Sequence, residues 1–286
     1  MNESPRDMLD PGAVIADPAF PDARLTFDSA TVGTKLAHTL APFGFEAPAL
    51  RAIRLLRHKA GRRYVVAYDV ECGGRMVGVI GKCRAGHVPI QALRRLRAFW
   101  KAGFDEACDD RISVPRPIGV WPVLGMWLQL EAPGVPATEL LGEAGAERLA
   151  ARAVEAAHKV HRAGVRAERT HGIADELRIL RQKLPEAARA LPRLASRVDR
   201  LAGDCEHLAA GLSSPQACGI HRDFYSDQLI ADGGRLCLID FDLYCEGDPG
   251  LDVGNFLGHV IEQSLREYGR SDALAGAVEA ARERYG

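Results

Sequence analysis

The chain has 286 residues, 47% hydrophobic and 26% charged, which suits a packed core and excludes wholesale disorder. Its 37 Lys and Arg against 38 Asp and Glu give a formal net charge of −1, so no global charge draws it to nucleic acid or an anionic membrane. The seven cysteines are odd in number and no two form C-x-x-C, which argues against a disulfide framework and a zinc ribbon. Reduced thiols, a polar N-terminus without a signal-peptide pattern and no run of ~18 apolar residues predict a cytoplasmic protein.

Residues 1–30 are rich in Pro, Asp and Ala, show little periodicity and predict a loosely packed lead-in; Thr31–Pro42 predicts one short helix. The runs Ala52–Leu56, Tyr64–Glu71 and Met76–Cys83 are dense in Val, Ile and Tyr. Gly-bearing turns at Lys59–Arg62 and Cys72–Arg75 separate them, which predicts an antiparallel meander. Ile90, Leu93, Leu96 and Phe99 recur at helical spacing and predict a helix over Pro89–Ala102. Ser113–Leu130 is strand-like, broken by prolines, with Met126–Leu130 as one strand. Ala132-Pro133-Gly134 breaks the pattern and marks a domain boundary, giving an N-terminal lobe at 1–131 and a helical lobe at 132–286. Ala144–Ala163, Asp175–Leu184, Ala187–Leu212 and Val253–Tyr285 read as helices, and Ala217–Leu243 as a compact β region. The fold class is α+β: a small antiparallel-β lobe with one helix, then a larger, mainly helical lobe with a hairpin embedded in it.

The chemistry concentrates around that hairpin. His221-Arg222-Asp223-Phe224-Tyr225-Ser226-Asp227-Gln228 leads into the apolar runs Gln228–Ala231 and Arg235–Ile239, joined by the turn Asp232-Gly233-Gly234 and followed by Asp240-Phe241-Asp242. A hairpin centred at residue 233 pairs positions whose numbers sum to about 466. Asp223–Gln228 then lies beside Asp240–Asp242 at the open end. Converging carboxylates raise one another's pKa unless a cation joins them. Magnesium takes a carboxylate or two and completes its shell with water and substrate phosphate. Phosphoryl transfer needs that metal, a group orienting the attacking hydroxyl, and a cation on the nucleotide phosphates.

H-R-D-x-x-x-x-Q followed by I-D-F-D, with the later Gly247-Asp248-Pro249-Gly250-Leu251-Asp252, resembles the catalytic and metal-binding loops of the aminoglycoside phosphotransferase and choline kinase-like superfamily. The resemblance is strong over 219–256 and implies a two-lobed, protein-kinase-like fold. It implies that Asp223 is the catalytic aspartate, that Asp240 is the main Mg²⁺ ligand, and that Gln228 stands where the family has a metal-binding Asn. Lys82, at the end of the third strand, would contact the nucleotide α- and β-phosphates. Lys59 and Gly61 would sit in the nucleotide-covering turn, and Gln129, Leu130 and Glu131 in the hinge along the adenine. Asp242 is a candidate substrate contact, and His221 and Asp252 are expected to brace the loop. The implied activity is transfer of the ATP γ-phosphate, with GTP as the other donor, to a hydroxyl of a small molecule: an aminoglycoside, another antibiotic, a sugar or an amino alcohol. No nucleic-acid or membrane partner is expected, and a homodimer is left open.

Two departures keep a second reading in play. Kinases pair their strand lysine with a helix Glu, but Pro89–Ala102 contains no acid, and the metal-binding Asn is Gln. A degenerate kinase-fold protein that binds nucleotide or another ligand without turnover is the alternative. The basic residues Arg94, Arg95 and Arg97 read first as a solvated helix face and second as an anion contact.

Overall fold

Alternating apolar residues on long strands need something to bury them, and in this chain the lead-in does so. The structure, a computed structural model, describes residues 9–86, 90–212 and 216–285. A five-stranded antiparallel sheet is built from Ala49–Lys59, Arg63–Cys72, Arg75–Arg84, Met126–Leu130 and Pro117–Trp121, hydrogen-bonded in that spatial order. Tyr64, Val66, Tyr68 and Val70 point to one face together with Val79, Cys83, Met126 and Leu128. Against this face pack Val14, Phe20, Ala23, Val32, Leu36 and Leu40.

The expectation of a loosely packed lead-in is therefore corrected. Helices Pro11–Ile15, Ala23–Thr26 and Ser29–Leu40 cover the sheet. The first two are too short for periodicity to register, whereas the third answers the helix expected over Thr31–Pro42, and Asp10 and Asp28 cap the first and third through their carboxylates. Residues 1–8 of that expectation, Pro89 at the start of the next helix and the terminal Gly286 lie outside the described residues. The helix itself runs Ile90–Phe99, and a π-type turn, Trp100–Phe104, ends it at Gly103 with φ +87°.

The hairpin Leu229–Asp232 with Arg235–Leu238 pairs Leu229 with Leu238 and Asp232 with Arg235. The sequence reading set the register one residue off. The turn has two central residues, Gly233 and Gly234, at φ +52° and +83°, the left-handed pair that a tight primed turn demands. The same device joins the second and third strands at Gly73 and Gly74. The hairpin lies in a four-stranded sheet between Ile112–Ser113 and Val135–Pro136.

By contacts, the chain up to Pro136 together with Leu229–Phe241 forms one compact unit; Ala137–Gln228 with Asp242–Gly286 forms the other. In the second unit, helix Ala146–Arg162 presents Ala150, Ala153, Val154, Ala157 and Val160 to the interior, small residues that let helices approach closely. Helices Pro249–Tyr268 and Ala275–Tyr285 contribute Val253, Phe256, Val260, Ala277 and Ala281. Gly269, at φ +71°, splits what the sequence reads as one helix over Val253–Tyr285. Strands Thr170–His171, Cys245–Gly247 and Cys218–Ile220 make a small sheet. Helices Ile173–Ala190 and Ala195–Gly211 pack on each other and bury none of their residues fully.

One contact ties the lead-in to the first turn of the sheet. The Asp17 carboxylate accepts the Gly61 N–H at 2.8 Å and the Ala19 N–H at 3.0 Å, and pairs with His58 Nε2 at 2.9 Å. These partners, the Gly61 amide foremost, hold its pKa below the ordinary carboxylate value. A carboxylate lowered in the folded state stabilises the fold above its unfolded pKa and loses that contribution as pH falls through the folded value. The midpoint of thermal unfolding should therefore drop on acidification below about pH 4, and Asp17→Asn should flatten that acid limb. An identical acid limb in the variant would contradict the role given to Asp17.

Candidate active site

Two loops carry the signature residues, one in each unit, and each is organised by its own polar framework. In the second unit the loop His221–Gln228 is built on Asp252. This carboxylate is fully buried (0% exposed) at the start of helix Pro249–Tyr268. Its Oδ2 accepts the His221 N–H at 2.8 Å and pairs with His161 Nε2 at 2.9 Å, and its Oδ1 accepts the Arg222 N–H at 2.6 Å. The bracing role expected of Asp252 is thus visible in the backbone.

Arg222 itself stands at φ +70°, a costly conformation for a long side chain. The Arg222 N–H bond to Asp252 holds it from one side. The Asn255 side-chain amide, donating to the Arg222 carbonyl at 2.8 Å, holds it from the other. Asn255 is missed by the sequence reading, although it is one of only two asparagines in the chain. The turn so fixed presents Asp223. The Gln228 side chain is buried, with Nε2 3.5 Å from Asp223 Oδ2, at the outer limit of a hydrogen bond; its carbonyl oxygen is the atom a hard cation would take. Asp227 is hydrogen-bonded to the Thr138 hydroxyl. Asp242, the candidate substrate contact, accepts Arg169 Nη2 at its backbone carbonyl, 3.1 Å away.

In the first unit Asp240 follows the hairpin at φ +63°, which aspartate tolerates better than most residues. Lys82 Nζ lies 3.7 Å from its Oδ1 and Arg63 Nη1 3.9 Å from its Oδ2. Lys82 also sits 5.2 Å above the Trp127 ring, its neighbour across the sheet. The helix without acids holds this loop in a different way. Arg95 Nη1 donates to the Phe241 carbonyl at 2.6 Å, and the Phe241 ring packs on Phe99 at 4.4 Å. Arg95 is thus bonded to the Phe241 backbone rather than left on a solvated face. The contact shown for Lys82 is with Asp240 itself, where the kinase pattern has a helix glutamate.

The remaining predicted residues divide by sheet face. Gln129 is buried and shares the Lys82 face, through the pairing of Ile80 with Gln129 beside that of Lys82 with Trp127. Leu130 packs toward the lead-in core instead. The Leu130 and Glu131 N–H groups donate to the Arg116 and Gly78 carbonyls at 2.9 and 2.8 Å. Lys59 is exposed at a strand end, and the Gly61 amide is taken by Asp17.

Asp240 in the first unit has a carboxylate and Gln228 in the second an amide oxygen, both of the hard-donor class that magnesium takes. Among the described residues no group of three or more His, Cys, Asp or Glu is placed to hold a metal ion. No helix among the described residues is long and apolar enough to cross a membrane.

Comparison with known proteins follows the same lines. The model of the phosphotransferase enzyme family matches residues 90–286, a span that contains both loops but begins after Lys82. No curated protein matches the chain. Among solved structures, a choline/ethanolamine kinase family protein from Mesorhizobium loti is 20% identical, with TM-score 0.56, covering 90% of this chain and 75% of its own. A spectinomycin phosphotransferase bound to ADP and spectinomycin is 12% identical with TM-score 0.61, covering 88% and 79%. A glucosamine kinase bound to glucosamine, ADP and inorganic phosphate is 17% identical with TM-score 0.59, covering 90% and 73%. The fold is that of the protein-kinase-like small-molecule kinases.

Asp252→Ala would strand one buried and one part-buried backbone N–H group and one histidine. It should cost about 3–5 kcal/mol in urea unfolding, as removal of one partner from a buried polar set does. A loss under about 1 kcal/mol, the scale of an exposed pair, would contradict the framework role.

Proposed function

The chain belongs to the phosphotransferase enzyme family, and from that premise we propose that it transfers the γ-phosphate of ATP to a hydroxyl of a small molecule, an aminoglycoside, another antibiotic, a sugar or an amino alcohol. The observation that carries the proposal is the arrangement at Asp240: a carboxylate on a strained turn, approached by the strand lysine Lys82 and by Arg63. Those are the charges a nucleotide polyphosphate and its metal require.

In this reading Lys82 holds the α- and β-phosphate oxygens, and Gln129 lines the adenine side on the same sheet face. Asp240 and the Gln228 carbonyl oxygen hold Mg²⁺. Magnesium, when bound, neutralises the phosphate oxygens and favours departure of ADP. Asp223 accepts a hydrogen bond from the acceptor hydroxyl and takes its proton as the new O–P bond forms. The bond between the γ-phosphorus and its bridging oxygen breaks, and that oxygen leaves on ADP. Gln228 steadies the Asp223 carboxylate through its amide nitrogen, and Asp242 is the candidate contact for the acceptor. GTP is the second donor to be tried.

The alternative, a kinase-fold protein that binds nucleotide without turnover, draws on the absence of any acid in helix Ile90–Phe99. Acceptor-dependent ADP release across a panel of amino alcohols, sugars and aminoglycosides separates the two. Asp223→Asn should lower kcat by about 10²–10⁴, the range of a positioned general base, with ATP affinity unchanged. Full activity in that variant would refute the assignment. ATP binding with no ADP release on any acceptor would favour the alternative.

A further inference from the structure

Helices Ile173–Ala190 and Ala195–Gly211 of the second unit, joined by the short turn Pro192–Leu194, leave large apolar side chains in solvent. Leu201, Leu208 and Leu212 are 50%, 68% and 58% exposed, and Ile173 and Leu191, at the two ends of the first helix, 50% and 46%. Scattered singly, exposed leucines need no explanation. These are ordered. Leu194, Leu201 and Leu208 recur every seven residues, and Val198, Cys205 and Leu212 follow each of them by four. That alternation is the heptad of a helix seam that meets another helix along its length.

Three rows divide the surface of the second helix. Ala195, Ala202 and Ala209 are half-buried on the side that packs against Ile173–Ala190. The leucine row stands one residue earlier in the heptad, about 100° round the axis. Beyond the leucines comes a charged row, Arg197 and Asp204, opposite in sign and both exposed. In heptad seams such flanking charges set the choice and direction of the partner helix.

The two outer rows share a centre at Leu201. Leu194 and Leu208 stand seven residues either side of it, Arg197 four before and Asp204 three after. Laying a second copy of the helix antiparallel, with both Leu201 side chains on the two-fold axis, sets Leu194 against the partner's Leu208. It also brings Arg197 within one residue, about 1.5 Å along the axis, of the partner's Asp204, and symmetry repeats both contacts. A parallel pairing would set arginine on arginine and aspartate on aspartate. The helix as a whole has the same polarity: Arg193, Arg197 and Arg200 outweigh Asp199 in its first half, and Asp204 and Glu206 lie in its second. A stripe complementary to its own antiparallel image specifies a second copy of this chain as the occupant.

We propose that this helical pair is a self-association surface. Helix Ala195–Gly211 pairs antiparallel with the same helix of a second copy across Leu194, Leu201 and Leu208, giving a four-helix bundle of two hairpins, and Arg197 and Asp204 fix the direction. The proposal goes beyond the phosphotransferase reading and stands without it.

Sedimentation equilibrium of the full chain, from micromolar to sub-millimolar concentration, tests it. The unsubstituted protein should approach twice the chain mass of 31.0 kDa. Leu201→Glu combined with Leu208→Glu should leave only monomer, with helix content by circular dichroism and unfolding temperature at low concentration unchanged, since both positions are exposed. Arg197→Glu alone, and Asp204→Arg alone, each place like charges across the seam and should weaken the dimer by about tenfold or more. The two together restore opposite charges and should recover the dimer. A monomer at every concentration would overturn the proposal and leave the leucines to some other partner. A dimer of undiminished affinity in the leucine double variant would place the interface elsewhere. Single charge reversals without effect, or a paired reversal that fails to restore the dimer, would contradict the antiparallel seam.

Discussion

Two cations drawn close to one another repel unless an anion offsets them, and here that anion is Asp240. Its backbone turns into the left-handed region directly after the hairpin, which re-aims its carboxylate toward Lys82 and Arg63. The strain is held by neighbours: the preceding strand pairs in register up to Leu238, and the next residue, Phe241, is fixed by Arg95 at its carbonyl and by Phe99 at its ring. A chain with no acid on the small helix thus still couples that helix to the loop after the hairpin, through a cation bonded to a backbone oxygen. The helix glutamate of the kinase pattern positions a lysine; Arg95 positions the loop that the lysine meets.

The second loop obeys the same logic with the signs reversed. A buried anion, Asp252, organises backbone donors, and Asn255 takes the acceptor on the same strained residue. Two left-handed residues, Arg222 and Asp240, each adjoin a residue proposed to do chemistry or do it themselves. Strain of that kind persists where surrounding contacts over-determine it. The consequence for function is stiffness: Asp223 is presented by a turn that three polar contacts hold, and a preorganised carboxylate needs little rearrangement as a hydroxyl is deprotonated.

Much of this was legible in the residues. The hairpin with its flanking acids could be located because glycines, apolar runs and carboxylates fall in one short stretch, and the meander because Val, Ile and Tyr alternate around Gly-bearing turns. The lead-in reads as loose because Val14 and Ala23 are buried from helices of only five and four residues and Phe20 from the turn between them, too short for a helical period. The hairpin register slipped by one because two adjacent glycines at positive φ define a two-residue turn, whereas Asp232 reads equally well as part of it. Arg63 is not singled out by the sequence, and Arg95 reads there as part of a solvated face, because an arginine on a strand or helix has no local signature; only the approach of Arg63 to Asp240 and the Arg95 bond to the Phe241 carbonyl give them a role.

The central claim is that the charges around Asp240 form a Mg²⁺-dependent nucleotide site. Thermal unfolding of the intact protein with ATP, with and without Mg²⁺, tests it most directly. Occupancy at about 100 times Kd adds about 2.7 kcal/mol to the stability of the folded state, so the predicted result is a clear rise in unfolding temperature with Mg·ATP that shrinks when Mg²⁺ is chelated and disappears in Asp240→Ala. An unchanged unfolding temperature at millimolar Mg·ATP, or a rise equally large in Asp240→Ala, would contradict it.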